Sequence, residues 1–108
     1  MTYTTTKMVL AQIKAEAAEE ENKRKRQEAI NAAIRVARVL ADKGALCSMW
    51  HSVDDFGKHL GLTLVGPNEL LISIDVRDAR TLDVLMQLLK TFYPELRGVF
   101  DQAMRGEQ

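Results

Sequence analysis

Leu62-Thr63-Leu64-Val65-Gly66-Pro67-Asn68-Glu69-Leu70-Leu71-Ile72-Ser73-Ile74-Asp75-Val76 is the stretch that decides the fold. Elsewhere in the chain, apolar residues recur at intervals of three and four. Here they alternate with polar ones and are rich in β-branched types, which is the signature of strands. The four residues between the apolar runs, Gly66-Pro67-Asn68-Glu69, are turn formers. The stretch therefore predicts an antiparallel hairpin with strands at 62–65 and 70–76. A lone hairpin is marginal in water, so helices must cover it, and its exposed edge invites pairing with a second copy.

Working outward, residues 6–43 contain no Gly or Pro and are rich in Ala, Glu, Lys and Arg, a strongly helical composition. Gly44 is the expected C-cap. Within this segment Glu19, Glu20 and Glu21 precede Lys23, Arg24 and Lys25 at a spacing of four. That order stabilises a solvated helix and neutralises most of the Lys23-Arg24-Lys25-Arg26 run. Two apolar stripes flank it. Ile30, Ala33, Ile34, Ala37, Leu40 and Ala41 form one, and Val9, Leu10, Ile13 and Ala17 form the other. At ~100° per residue the two point about 140° apart, and coiled-coil underwinding over that distance recovers only about 60°. One straight helix cannot bury both against one surface. Either the chain breaks near the charged run, or the first stripe faces a different partner, with residues 1–20 as a separate helical arm.

Residues 45–52 read as either strand or loop. Ser52 followed by Val53-Asp54-Asp55 resembles a helix start. A short helix through Leu60, stopped by Gly61, would bury Val53, Phe56 and Leu60, with the two aspartates serving its N-terminus. After the hairpin, Asp78 or Thr81 opens a helix lined by Leu82, Leu85, Met86, Leu89 and Phe92 and ended by Pro94. A last helix carries Leu96, Val99, Phe100, Ala103 and Met104, with a frayed tail from Arg105. The fold class is α+β in a single domain, 1–108. It comprises a long N-terminal helix, a central hairpin that a strand at 46–51 would extend to a three-stranded antiparallel sheet, and two C-terminal helices on one face. The core is expected at Ile34, Leu40, Ile72, Ile74, Leu85, Leu89 and Phe100.

The functional reading starts from exclusions. The chain has 15 Lys and Arg against 15 Asp and Glu, so no general pull towards nucleic acid exists. Residues 1–43 hold nine bases and six acids, a net +3, and residues 44–108 the reverse. The N-terminus lacks the apolar run of a secretory signal, and no stretch approaches the ~20 apolar residues of a membrane span. A cytoplasmic protein without membrane partners is expected. The single cysteine, Cys47, forms no intrachain disulfide and reads as a small buried hydrophobe. Cys47, His51 and His59 lack the paired short spacing and the fourth ligand of a zinc site, so no metal is expected. The glycines are scattered and form no phosphate loop. No catalytic residue and no cofactor is expected. Trp50 reads as a core anchor rather than an interface hot spot.

Two surfaces carry a partner-binding expectation. Met8, Val9, Leu10 and Ile13 form an apolar patch ahead of a very polar stretch, suited to a helix-in-groove contact or a dimer arm. Arg24, Asn31, Arg35 and Arg38 fall within ~60° of one another on a helix, opposite the Ile30/Ile34/Ala37 stripe. The expected function is a non-enzymatic protein-binding module, a small regulator, adaptor or inhibitor of the kind phages and mobile elements carry, that also forms a homodimer. The alternative is a nucleic-acid-binding homodimer using the Arg24/Arg35/Arg38 face.

Overall fold

The computed structural model describes residues 2–55 and 57–106, with side chains described from residue 12 onward. The elements run α1 (Thr2–Asp42), β1 (Leu46–Asp54), β2 (Gly57–Val65), β3 (Leu71–Val76), α2 (Ala79–Phe92) and α3 (Arg97–Arg105). Short 3-10 turns at Pro67–Glu69 and Pro94–Leu96 join β2 to β3 and α2 to α3. The strands form one antiparallel sheet of order β1-β2-β3. The helices lie on one of its faces, α1 against all three strands, α2 against β3 and α3 against α1. The α+β class, the long first helix and the three-stranded sheet are as the sequence predicts.

α1 does not break at the charged run. It ends where the sequence says it should. Gly44 adopts φ +74°, and the Ala45 and Gly44 N–H groups donate to the Leu40 and Ala41 carbonyls at 2.8 and 3.1 Å. This left-handed cap satisfies the last free carbonyls of the helix. The buried face is wider than the expected stripe. Ala29, Ala32 and Val36 join Ile30, Ala33, Ala37 and Leu40 in the core, while Ala41 is exposed and Ile34 only partly buried. The reason is that α1 is enclosed on two sides, by the sheet and by α3, and its alanines let both approach closely.

The sheet contributes Leu60, Leu62 and Leu64 of β2 and Val76 of β3, all fully buried. They meet Leu82, Leu85, Met86 and Leu89 of α2 and Phe100 of α3. Of the expected core, Leu40, Leu85, Leu89 and Phe100 are fully buried. Ile34 and Ile74 pack against the core from partly buried positions, and Ile72 is half-buried near the β2–β3 turn. Asp78 caps α2. Its carboxylate accepts from the Thr81 N–H at 2.9 Å, and the Thr81 hydroxyl in turn accepts from the Asp78 N–H. That backbone donor, ahead of burial acting the other way, holds the Asp78 carboxyl below its usual range. The Tyr93 hydroxyl donates to the Val65 carbonyl, tying the end of α2 to the end of β2. α3 continues through Arg105 to a left-handed cap at Gly106, so Arg105 is helical rather than frayed.

The expected helix at 52–60 is replaced by strand. β1 pairs with β2 from Ser48↔Thr63 through Asp54↔Gly57. Leu60 is buried as a strand residue, Val53 is 74% exposed, and Phe56 lies outside the described residues. The alternation that marks the hairpin in fact begins at Leu60 and passes straight through Gly61. That glycine is no helix stop. A Cβ there would sit 2.1 Å from Trp50 Cε2, so the indole of Trp50 lies directly on the Gly61 backbone. Gly in a strand interior marks such a close approach.

Candidate interaction surfaces

The first half of α1 leaves the domain. Every residue from 12 to 25 is exposed, and burial begins only at Arg26. The molecule is 68 Å long but only 27 Å and 19 Å across. Ile13 is 55% exposed and Ala17 is exposed, so the described part of the first stripe meets nothing of its own domain. The side chains of Met8, Val9 and Leu10 lie outside the described residues. What holds this arm helical is its own charge pattern. Arg24 reaches Glu21 at 2.6 Å and Glu28 at 3.4 Å, Lys25 reaches Glu21 at 3.9 Å, and Lys23 reaches Glu20 at 3.9 Å and Glu19 at 4.0 Å. The Arg24 hydrogen bond, then its charge, holds the Glu21 carboxyl below the ordinary carboxylate range.

The arginine face is not the single solvent surface its spacing implies. Arg35 is partly buried, and its Nε and Nη2 donate to the Ala103 and Met104 carbonyls at 2.6 and 3.0 Å. It thus binds the C-terminal end of α3, where unpaired carbonyls and the helix dipole favour a cation. Arg24 is engaged by the arm's carboxylates, and Asn31 accepts from Gln27 at 2.9 Å. Arg38 alone of the three arginines is both exposed and outside these pairings. The interaction of Arg35 with α3 joins residues 68 apart in sequence, and helical spacing carries no signal for it.

Where the arm leaves the domain, a crevice of about 440 Å³ opens between it and the β1–β2 turn. Lys23, Arg24, Arg26 and Lys58 line it over an apolar floor at Ile30 and Gly57. Lys23 and Arg24 are already paired with Glu19, Glu20, Glu21 and Glu28, so much of the charge around the crevice is compensated from within α1.

The uncovered face of the sheet carries a polar cluster. His59 Nε2 lies 3.7 Å from Asp54 and its Nδ1 lies 3.5 Å from Asp75, while Arg77 donates to Asp54 at 2.8 Å. Ser52 sits opposite His59 in the register, and the Thr63 and Ser73 hydroxyls meet at 3.1 Å. Asp54, His59 and Asp75 come from β1, β2 and β3, so the cluster spans all three strands. Cys47 is exposed at a register irregularity of β1 rather than buried, and Trp50 is 41% exposed rather than a core anchor. The two corrections have different causes: Trp50, opposite Gly61, is on the face of the sheet away from Leu60, Leu62 and Leu64, whereas Cys47 sits at the irregular start of an edge strand. Among the described residues, no group of three or more His, Cys, Asp or Glu is placed to hold a metal ion, and no helix is long and apolar enough to cross a membrane. No protein-family model matches the chain, and no curated protein or solved structure is significantly similar to it.

Proposed function

We propose that the chain is a cytoplasmic, non-enzymatic protein-binding module, a small regulator, adaptor or inhibitor whose partners include a second copy of itself. The observation that carries this reading is the arm. Residues 12–25 are exposed on every side, although isolated helices of this length are marginal in water. Ion pairs between exposed groups hold it weakly, so a helix kept this far from its core is suited to a contact made outside the domain. The apolar residues Val9, Leu10 and Ile13 would supply affinity, at most about 1.5–3 kcal/mol each on full burial. The charges around them would set partner choice and association rate.

The test is deletion of residues 1–17. The remaining domain should keep its cooperative unfolding, because the core begins at Ala29. It should lose binding to the protein partner that the full chain retains from its native host. A truncated chain that unfolds, or that binds that partner unchanged, refutes the arm as the contact surface. The nucleic-acid alternative has less support than the spacing implied, because Arg35 is committed to α3 and Arg24 to Glu21. A DNA or RNA complex that weakens steeply with salt would restore it.

A further inference from the structure

One line of residues leads from the arm into the domain on the side of α1 away from the core. Ile13, Ala17, Glu20, Arg24, Gln27 and Asn31 recur at intervals of four and three, the heptad spacing of a helix that packs lengthwise against another. At ~100° per residue this line is about 180° from Ala29, Ala33 and Leu40, which the core encloses. All six of its residues are exposed. The line runs on to Leu10 at one end and to Ile34 at the other, the latter only partly buried at the margin of the core. Underwinding to 3.5 residues per turn keeps the two ends in register with the middle. The line also has a centre. Reflected about Asn22, Glu20 falls on Arg24, Ala17 on Gln27, Ile13 on Asn31 and Leu10 on Ile34. Acid meets base beside the centre, and apolar meets apolar at the ends. The flanking charges reverse in the same way, Glu19 reflecting on Lys25 and Glu21 on Lys23.

We infer that α1 pairs antiparallel with α1 of a second copy of the chain, as a short coiled coil about a two-fold axis level with Asn22. This rests on the protein-binding reading only in counting a second copy among the partners, and it names the surface that copy takes. Self-complementarity of charge chooses the occupant and its direction. A parallel pair would set Glu20 on Glu20 and Arg24 on Arg24, like charge on like. The antiparallel pair sets glutamate on arginine at both symmetry-related contacts. The ion pairs within the arm leave room for this. Glu20 lies 3.9 Å from Lys23 with its side chain 77% exposed, and the side chain of Arg24 is 62% exposed. A carboxylate has several acceptor sites and a guanidinium five donors, so each can take a further partner. Because the core lies behind α1, the two domains sit at opposite ends and on the outer sides of the pair. The arm of each copy then covers the bare side of α1 in the other, with Leu10 against the exposed part of Ile34. Leu10, Ile13, Ala17 and Ile34 are the apolar members of the line, too few for a tight complex, and the dissociation constant falls in roughly the micromolar range.

The experiment uses the full chain. Analytical ultracentrifugation should show a dimer at ~100 µM, well above a micromolar constant. Glu20→Arg sets arginine on arginine at both contacts and should raise the dissociation constant roughly tenfold or more. Adding Arg24→Glu to it returns opposite charges across the axis and should restore the dimer. In a Cys47→Ser background, Ile13→Cys with Asn31→Cys should form a disulfide-linked dimer under mild oxidation. Ile13→Cys alone should not, because its own copy lies twice nine residues away along the antiparallel pair, ~27 Å. The same distance separates residues 13 and 31 within one helix, so the bond reports pairing between copies. The cross-link reads the register even if a charge variant frays the arm. A monomer at that concentration overturns the proposal, as does a dimer that Glu20→Arg leaves intact. Cross-linking of Ile13→Cys alone as readily as of the double variant does so too, since a parallel pair would give it. Glu20→Arg keeps Val9, Leu10 and Ile13, so the two readings fail separately. The pairing is read in the ultracentrifuge, and the protein-binding reading in capture of the host partner by chains with and without residues 1–17.

Discussion

The two halves of α1 share a backbone and an alanine-rich composition but are put to opposite ends. Residues 12–25 and residues 29–42 belong to one unbroken helix, the first with eight charged residues and one large aliphatic, the second with three and five. The first is exposed throughout. The second buries Ala29, Ile30, Ala32, Ala33, Val36, Ala37 and Leu40. The first is kept helical by acid-to-base pairs on its own surface, the second by a core that encloses it. Helix formation and helix burial are thus separate properties, and an ion-paired segment can carry a helix beyond the surface that anchors it.

The largest effect that probes this contrast is truncation at matched positions. Leu40→Ala should cost about 2–5 kcal/mol, while Ile13→Ala should stay within about 0.5 kcal/mol. Urea unfolding monitored by tryptophan fluorescence reads both. Comparable losses would mean that the arm folds as part of the core. Next is Arg35→Met. It removes two charge-assisted hydrogen bonds to the end of α3 and should cost about 1.5–3 kcal/mol. An effect below about 0.5 kcal/mol, the level of an ordinary surface change, would return Arg35 to the solvated face that its spacing suggests.

The smallest effect concerns the arm alone. The Glu21 carboxyl sits below its ordinary range because Arg24 bonds and attracts it. A depressed value stabilises the folded form above the ordinary carboxylate range, and that contribution is lost as pH falls through it. Acidification from neutral should therefore melt part of the helical circular dichroism before the tryptophan signal changes, and added salt should do the same near neutral pH. Loss of both signals together would erase the distinction between the two halves. α2 provides the internal control, since its start is held by the Asp78 cap rather than by surface pairs.

Which parts were legible in the sequence follows the range of the interactions. The hairpin at 62–76, the stop at Gly44, the capped start at Asp78 and the break at Pro94 all act within a few residues, and each is where the sequence places it. Val53 and Leu60 were misassigned because a helical spacing and a strand alternation both fit so short a run. Only pairing with residues already in the sheet separates them. Trp50 and Gly61 show the same limit. An indole in an apolar segment suggests a core and a glycine suggests an end, but the register brings them together as a side chain lying on bare backbone. Of the candidate surfaces, the arm's polar exterior was visible in its charge pattern, and the open edge of β1 was not.

By itself, then, the sequence determined the local elements: the helix-favouring run through Asp42, the ion-paired arm, the turn at Gly66 to Glu69 and the caps. These depend on neighbours in the chain, and composition and spacing report them. Only the tertiary structure decided that α1 is buried on two sides after Arg26, that Arg35 serves α3, that β1 joins the sheet as its open edge, and that Cys47 and Trp50 face solvent. Those outcomes depend on which distant surfaces meet, and burial is a property of the meeting surfaces rather than of either one alone.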